Sequence, residues 1–386
     1  MSARTTTALV GTTTAAALAV GLLAAPAAAA ESPATDHHHR ATRSAMDATV
    51  RDGTPGVIGR ATDRHGTWSG TSGVGDLETG DPRGTDERYR TGSVTKTFVA
   101  TVLLQLEAEG SVDLDDTVER RLPGLVRGHG HDGGRVTIRQ LLNHTSGIYD
   151  YLADDDFARA TARPDGFFKN RYVTWSPEQL VAIAMRHRPD FTPGTDWRYS
   201  NTNYLLAGLI IERATGRPYG DEVRRRIIEP LGLHATTLPG TDPLVPRPSS
   251  RAYSKLAEDA TGPTYDVTEF NPSSAWADGE LISTAADLNR FYSALLRGRL
   301  LPERQLAAMK TTVPVGEERP GASYGLGLSH RKLSCGRQVW GHSGGILGSV
   351  SDAVTTEHGG HSFAFNLNGD WNGEGGELIE AEYCGK

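Results

Sequence analysis

Ser93 and Lys96 stand three residues apart at the start of the apolar stretch Thr95-Lys96-Thr97-Phe98-Val99-Ala100-Thr101-Val102-Leu103-Leu104. On a helix that spacing puts both side chains on one face. The amine can then reach the hydroxyl and accept its proton, which is one way to make a serine nucleophilic. To do so the amine must be neutral, and burial or neighbouring positive charge disfavours the ammonium form. The helix N-terminus beneath Ser93 favours negative charge on its oxygen. A helix start followed by a surface lysine would leave the same letters, so the pair needs company.

Two other segments supply it. Tyr199 and Asn201 lie two apart in Trp197-Arg198-Tyr199-Ser200-Asn201-Thr202-Asn203-Tyr204, just before the apolar run Leu205 to Ile211. On a loop both can face one cleft, the phenol relaying a proton and the amide orienting lysine and substrate. Its plainer reading is a helix-capping turn with a half-buried aromatic. The third segment, His342-Ser343-Gly344-Gly345, follows the strand-like Gln338-Val339-Trp340-Gly341. Small residues after a histidine suit a strand edge along which a substrate backbone can lie. A glycine-rich turn with a solvated histidine is the alternative.

In this order, S-x-x-K, Y-x-N and H-x-G resemble the motif triplet of serine penicillin-recognising enzymes, in which S-D-N and K-T-G are the commoner second and third members. The variant triplet is similar to the class C β-lactamase-like branch, and within it to secreted D-alanyl-D-alanine carboxypeptidases. The phrases Leu141-Leu142-Asn143-His144-Thr145-Ser146-Gly147-Ile148, Ile282 to Leu288 and Tyr324-Gly325-Leu326-Gly327-Leu328 extend the resemblance over roughly residues 45–386. It implies a serine carboxypeptidase that forms an acyl-serine intermediate on peptides ending in D-Ala-D-Ala and is acylated by β-lactams. Ser93 would be the nucleophile, with Lys96 or Tyr199 as its base. The amides of Ser93 and Gly345 would form the oxyanion hole. Asn201 would bind Lys96 and the substrate, and His342 would stand where K-T-G relatives hold lysine. Ser343, Gly344 and Gly345 would line the substrate strand, and Trp276 and Phe168 are candidate pocket walls.

The pattern also departs from the family. Its carboxypeptidases commonly carry an arginine shortly after the Tyr-Gly-Leu-Gly segment and a threonine after H-T-G, both holding the substrate carboxylate. This chain has Ser329 and Gly345 there. Arg331 or Lys332 is the available replacement cation, and a serine cannot give an arginine's bidentate grip. A β-lactamase, an esterase or a D-amino-acid amidase would use the same serine. A non-catalytic peptidoglycan or penicillin binder would be expected to have lost a reactive residue, and Ser93, Lys96, Tyr199 and His342 all remain.

The elements that must position these groups follow from periodicity. Runs such as Gly56 to Gly59 and Thr67 to Gly70 read as antiparallel strands, and the helix bearing Ser93 comes next. Segments Val136 to Leu142 and Pro177 to Met185 read as helical, between Pro/Gly-rich loops. From Tyr324 strands return, including His361 to Leu367, and a helix from Gly376 to Tyr383 closes the chain. The resulting fold class is α+β, β-lactamase/transpeptidase-like, an antiparallel sheet flanked by helices with an all-helical second lobe. Residues 45–120 and 286–386 would form the sheet lobe, and 121–285 the helical lobe, with the site between.

Residues 1–30, with Arg4, an Ala/Leu/Val-rich run and Ala27 to Ala30, read as a secretory signal too short to span a membrane. Residues 31–44 read as a polar lead-in, with His37, His38 and His39 as a solvated tail and not a metal site. Asp154 to Asp156 reads as a solvated helix start, and His129 and His131 as an exposed turn. Two cysteines in an exported chain suggest one disulfide closing about fifty residues, and the resemblance favours a Cys335–Cys384 bridge over two free thiols. The composition, 37% hydrophobic and 23% charged, is that of a globular protein. A net charge of -7 and the lack of a phosphate loop argue against nucleic acid and nucleotides. No cofactor or stable membrane anchor is implied. A secreted monomer is the default.

Overall fold

A computed structural model describes residues 38–257, 262–316, 321–373 and 375–385. The expected signal and the first half of the lead-in lie outside the described residues. Eight strands form one antiparallel sheet: β1 (Gly56–Asp63), β2 (Gly66–Gly73), β3 (Val313–Pro314), β4 (Ala322–Tyr324), β5 (Ser329–Lys332), β6 (Gln338–Ile346), β7 (Ser349–Thr356) and β8 (Ser362–Leu367). Their order is β2-β1-β8-β7-β6-β5-β4-β3. The two chain-terminal segments thus meet where β1 pairs with β8, Val57 opposite Leu367.

Strand β8 shows why the sheet is covered on both faces. Phe363, Phe365 and Leu367 point to one side, and the small Ala364 to the other. The large residues meet two helices, α1 (Arg40–Arg51) and, at the chain's end, Gly376–Cys384. Ala364 leaves room for the helix Ala285–Leu296 on the opposite face, whose Phe291 stacks at 3.7 Å on Phe98. Phe98 belongs to α2 (Thr95–Ala108), every residue of which from Thr95 to Leu104 is buried. A helix apolar all round sits inside a protein. Lys96 is therefore fully desolvated by its position in this helix.

In the middle of the chain helices are the main regular elements, but the stretch is not all-helical. Two short ribbons, Arg127–Gly128 with His131–Asp132 and Tyr253–Ser254 with Tyr265–Asp266, interrupt it. The predicted helix at Val136 begins only at Ile138, where Thr137 caps it through its hydroxyl and Gln140 closes the capping box. Disulfide Cys335–Cys384 is present and ties the turn between β5 and β6 to the last helix.

Several residues expected in solvent are not there. The lead-in folds into α1 from Arg40, and His39 is 5% exposed, stacked on Trp68 and bonded to Glu382. The tail reading fails at His39 because the last helix presents a buried carboxylate to it, whereas His38 is exposed and His37 lies outside the described residues. His131, in the second strand of its ribbon, is buried too. Asp154 caps the helix Asp155–Ala162 through Phe157 N and binds Arg186 and His187.

Burial alone would raise the Glu382 carboxyl, but hydrogen bonds from His361, His39 and Thr42 overcome it and hold it down at about 2. A folded value below the unfolded 4.5 means stability present above pH 4.5 and lost as pH falls towards 2. Glu382→Gln will therefore cost about 3 kcal/mol at neutral pH. In urea melts the gap to the wild type should narrow between pH 5 and pH 3. A gap independent of pH would show that the charge is not what matters.

Candidate active site

Ser93 sits in a single 3-10 turn, Gly92–Val94, leading directly into α2. The turn is held from three sides. Thr91 N donates to Leu281 O, Ser351 Oγ donates to Thr91 O, and Thr95 Oγ1 donates back to Gly92 O. Close packing against β6 demands glycine: Gly92 has φ +53°, and a Cβ there would lie 2.6 Å from Gly345 O. A Cβ on Gly344 would lie 1.9 Å from Thr91 O and 3.0 Å from Ser93 N. These glycines fix the nucleophile turn to the strand edge.

That edge is open where it matters. Strand β5 covers β6 only from Gln338 to Gly341, so from His342 to Ile346 the strand pairs with β7 alone among the described residues. Gly345 is exposed, and a Cβ there would meet nothing within 4 Å.

Lys96 Nζ donates to Ser93 Oγ at 2.9 Å, to Asn201 Oδ1 at 2.7 Å and to the Asp278 carbonyl at 2.7 Å. All three ammonium hydrogens are accounted for. Desolvation is the largest influence on the group and lowers it to about 8, against the opposing pull of Asp278 and Asp150. The Asn201 oxygen and the Asp278 carbonyl can only accept. A neutral amine therefore keeps its two hydrogens on them and turns its lone pair to the serine hydroxyl.

Tyr199 and Asn201 precede the helix Thr202–Thr215. Asn201 does not cap it; its amide nitrogen donates instead to Asp150 Oδ2 at 2.9 Å. The Tyr199 ring lies 5.0 Å from Lys96 Nζ and 4.1 Å from the ring of His144. Its hydroxyl is buried and makes no hydrogen bond of good geometry in the resting site. Burial pushes the phenol well above its ordinary value, while the nearby Ser93 hydroxyl opposes the rise. Tyr199 therefore keeps its proton at working pH.

His342 is 3% exposed, and burial lowers its imidazole to about 3. Nδ1 donates to the Ser343 carbonyl, which leaves Nε2 to accept from Tyr324 Oη at 2.7 Å. Its ring lies 6.4 Å from that of Tyr199. A neutral imidazole brings no positive charge to the phenol, unlike the lysine of K-T-G relatives.

With this geometry in place, the sequence profile of the Beta-lactamase family matches residues 36–370. The chain belongs to the Beta-lactamase family. It is 57% identical to a D-stereospecific amidohydrolase from Streptomyces sp., with a TM-score of 0.86, over 90% of this chain and 99% of that one. It is 29% identical to the D-amino acid amidase of Ochrobactrum anthropi SV3, at a TM-score of 0.77 and the same coverage. Penicillin-binding protein 4 of Amycolatopsis lactamdurans is 33% identical over 236 residues, 60% of this chain and 57% of that protein. The chain thus spans little more than half the length of this relative. A serine hydrolase fold of the Beta-lactamase and penicillin-binding group is what these likenesses share.

Three expected pocket residues of this Beta-lactamase-family chain have partners of their own within the protein. Arg331 grips buried Asp352 with both terminal guanidinium nitrogens, at 2.7 and 2.8 Å, and so is no stand-in for a substrate clamp. Strand alternation explains this: Arg331 is opposite Val339, on the sheet face away from Trp340 and His342. Trp276 packs edge-on against Tyr219 and over Gly208, whose missing side chain makes room for the indole. Phe168 is 45% exposed and packs on Phe167 and Tyr265. Ser343 is half-buried on the open stretch of β6.

Sequence reasoning passed over Asp150, Asp278, His144 and Tyr324, which surround the catalytic candidates. His144 and Tyr324 lie inside quoted phrases, and Asp150 comes three residues after Gly147. That proximity was the available signal. Asp278 had none.

Proposed function

We propose that this protein is a D-stereospecific amide hydrolase that works through an acyl-serine. Ser93 Oγ attacks the carbonyl while Lys96 takes its proton. The roles divide by electrostatics: burial depresses the amine to about 8 and raises the phenol, so the amine is the base and Tyr199 the acid. Amides of Ser93 and Gly345 receive the oxyanion, a type of contact whose loss costs on the order of 3 kcal/mol. Tyr199 gives its proton to the departing amine, and water then enters by the reverse route. Asn201 orients Lys96. Neutral His342 anchors Tyr324 beside Tyr199.

The observation that carries this reading over a carboxypeptidase is Arg331. With its fork on Asp352, and with Ser329 and Gly345 at the expected carboxylate positions, none of these three residues gives a bidentate grip on a substrate's terminal carboxylate. An amide substrate has no such carboxylate. The 57% identity to the Streptomyces amidohydrolase supports the same choice. Carboxypeptidase activity is the second reading, favoured by the likeness to penicillin-binding protein 4.

The test is ammonia release from D- and L-phenylalanine amide beside D-alanine release from a diacyl-Lys-D-Ala-D-Ala tripeptide. The D-amide should react at least about 100-fold faster than the L-amide in kcat/KM. It should also outpace the tripeptide. Faster D-alanine release would overturn the choice and install the carboxypeptidase.

A further inference from the structure

A buried acid stands beside the buried amine. The Asp278 carboxyl lies 3.9 Å from Lys96 Nζ, with side-chain exposures of 4% and 0%. Its other oxygen accepts from Tyr151 Oη at 2.8 Å. The same residue gives Lys96 its carbonyl at 2.7 Å, so one position supplies both a main-chain acceptor and a charge. The acid is fixed from the far side as well. Tyr151 follows Asp150, whose carboxylate accepts from the Asn201 amide, and Tyr151 N donates to Thr202 Oγ1. Asp150 and Tyr151 thus close a ring around the amine through Asn201 on one side and Asp278 on the other.

Resting on the acyl-serine reading above, we infer that Asp278 is a positioning residue whose carboxylate holds Lys96 as an ammonium at rest and so sets the pH above which Ser93 becomes reactive. It touches neither substrate nor Ser93 and acts through the lysine. An opposite charge within about 4–6 Å raises an amine's pKa by roughly one to three units. Among the described residues no other charged group competes on equal terms. Asp150 lies behind Asn201, and its effect on the lysine is the weaker of the two. His144 and His342 are kept neutral by burial. Tyr199, Tyr204, Tyr324 and Tyr151 are pushed up by burial and stay protonated. Glu280, on the same loop, is bonded to Tyr219 and Gly240 N.

The experiment follows Ser93 labelling by a fluorophosphonate from pH 5 to pH 10 in the full chain. Asp278→Asn keeps the shape and the Tyr151 contact but removes the charge. Burial raises the Asp278 carboxyl to about 7, so its charge acts on Lys96 above that pH. The acid limb of the variant's labelling rate should move at least about one pH unit lower, so that near pH 7.5 it labels faster relative to its own plateau than the wild type does. A merely structural role would lower the plateau or the melting temperature and leave the limb in place. Tyr151→Phe, which withdraws a donor from the carboxylate, should shift the limb the same way by less. A limb unmoved in folded Asp278→Asn overturns the inference. Should that variant not fold, a limb unmoved in Tyr151→Phe overturns it instead. Labelling that persists in Ser93→Ala would instead sink the acyl-serine reading, so the two failures stay separate.

Discussion

Alanine at position 93 will abolish covalent labelling by a fluorescent penicillin and reduce amide hydrolysis by about five to six orders of magnitude. Among the described residues no other hydroxyl is bonded to the Lys96 amine, whose remaining acceptors are an amide and a backbone carbonyl. The substitution takes away one acceptor and leaves the other two, which suffice for a neutral amine. Stability should therefore change by no more than about 1 kcal/mol. The turn itself is held by backbone and threonine contacts that do not involve the serine oxygen. A folded variant that still forms an acyl adduct would name a different nucleophile. Reading labelling by mass spectrometry of the tryptic peptide makes that outcome explicit.

How much of this was legible from the letters follows from how local each signal is. The S-x-x-K pair needs only helical spacing, and Tyr199 and Asn201 need only a loop before a helix, so their chemistry could be read directly. Strands such as β8 declare themselves by alternation. Burial is different, because it depends on what the rest of the chain does. Nothing in His39 itself says that Glu382, 343 residues on, will receive it. The charge state of His342 depends in the same way on the tyrosine and helices packed around it. Arg331 shows the limit most clearly. Its type was right for a carboxylate clamp and its place in the sequence was close. One step of strand alternation put it on the other face, where Asp352 waits on β7. Asp278 carries no motif at all, and only the fold brings it beside an amine 182 residues earlier.

Phenylalanine at position 199 will lower kcat/KM for amides by about 100- to 10,000-fold, and for activated esters by far less. The difference follows from the leaving group. An amine departs only when protonated, and the phenol lies beside the Ser93 hydroxyl with its proton retained by burial. A phenolate departing from a p-nitrophenyl ester needs no such donor. Lys96, bonded to Ser93 at 2.9 Å, remains in place to accept the serine proton, so acylation by the ester survives. Structure alone offers little reason for damage. The Tyr199 hydroxyl makes no hydrogen bond of good geometry at rest, and its removal leaves no buried partner orphaned. The ring, which stacks on His144 at 4.1 Å, is retained. Equal losses on amide and ester would mean that Tyr199 serves the attack and not the departure. The base would then have to be the phenol and not the amine, against the direction in which burial moves both groups.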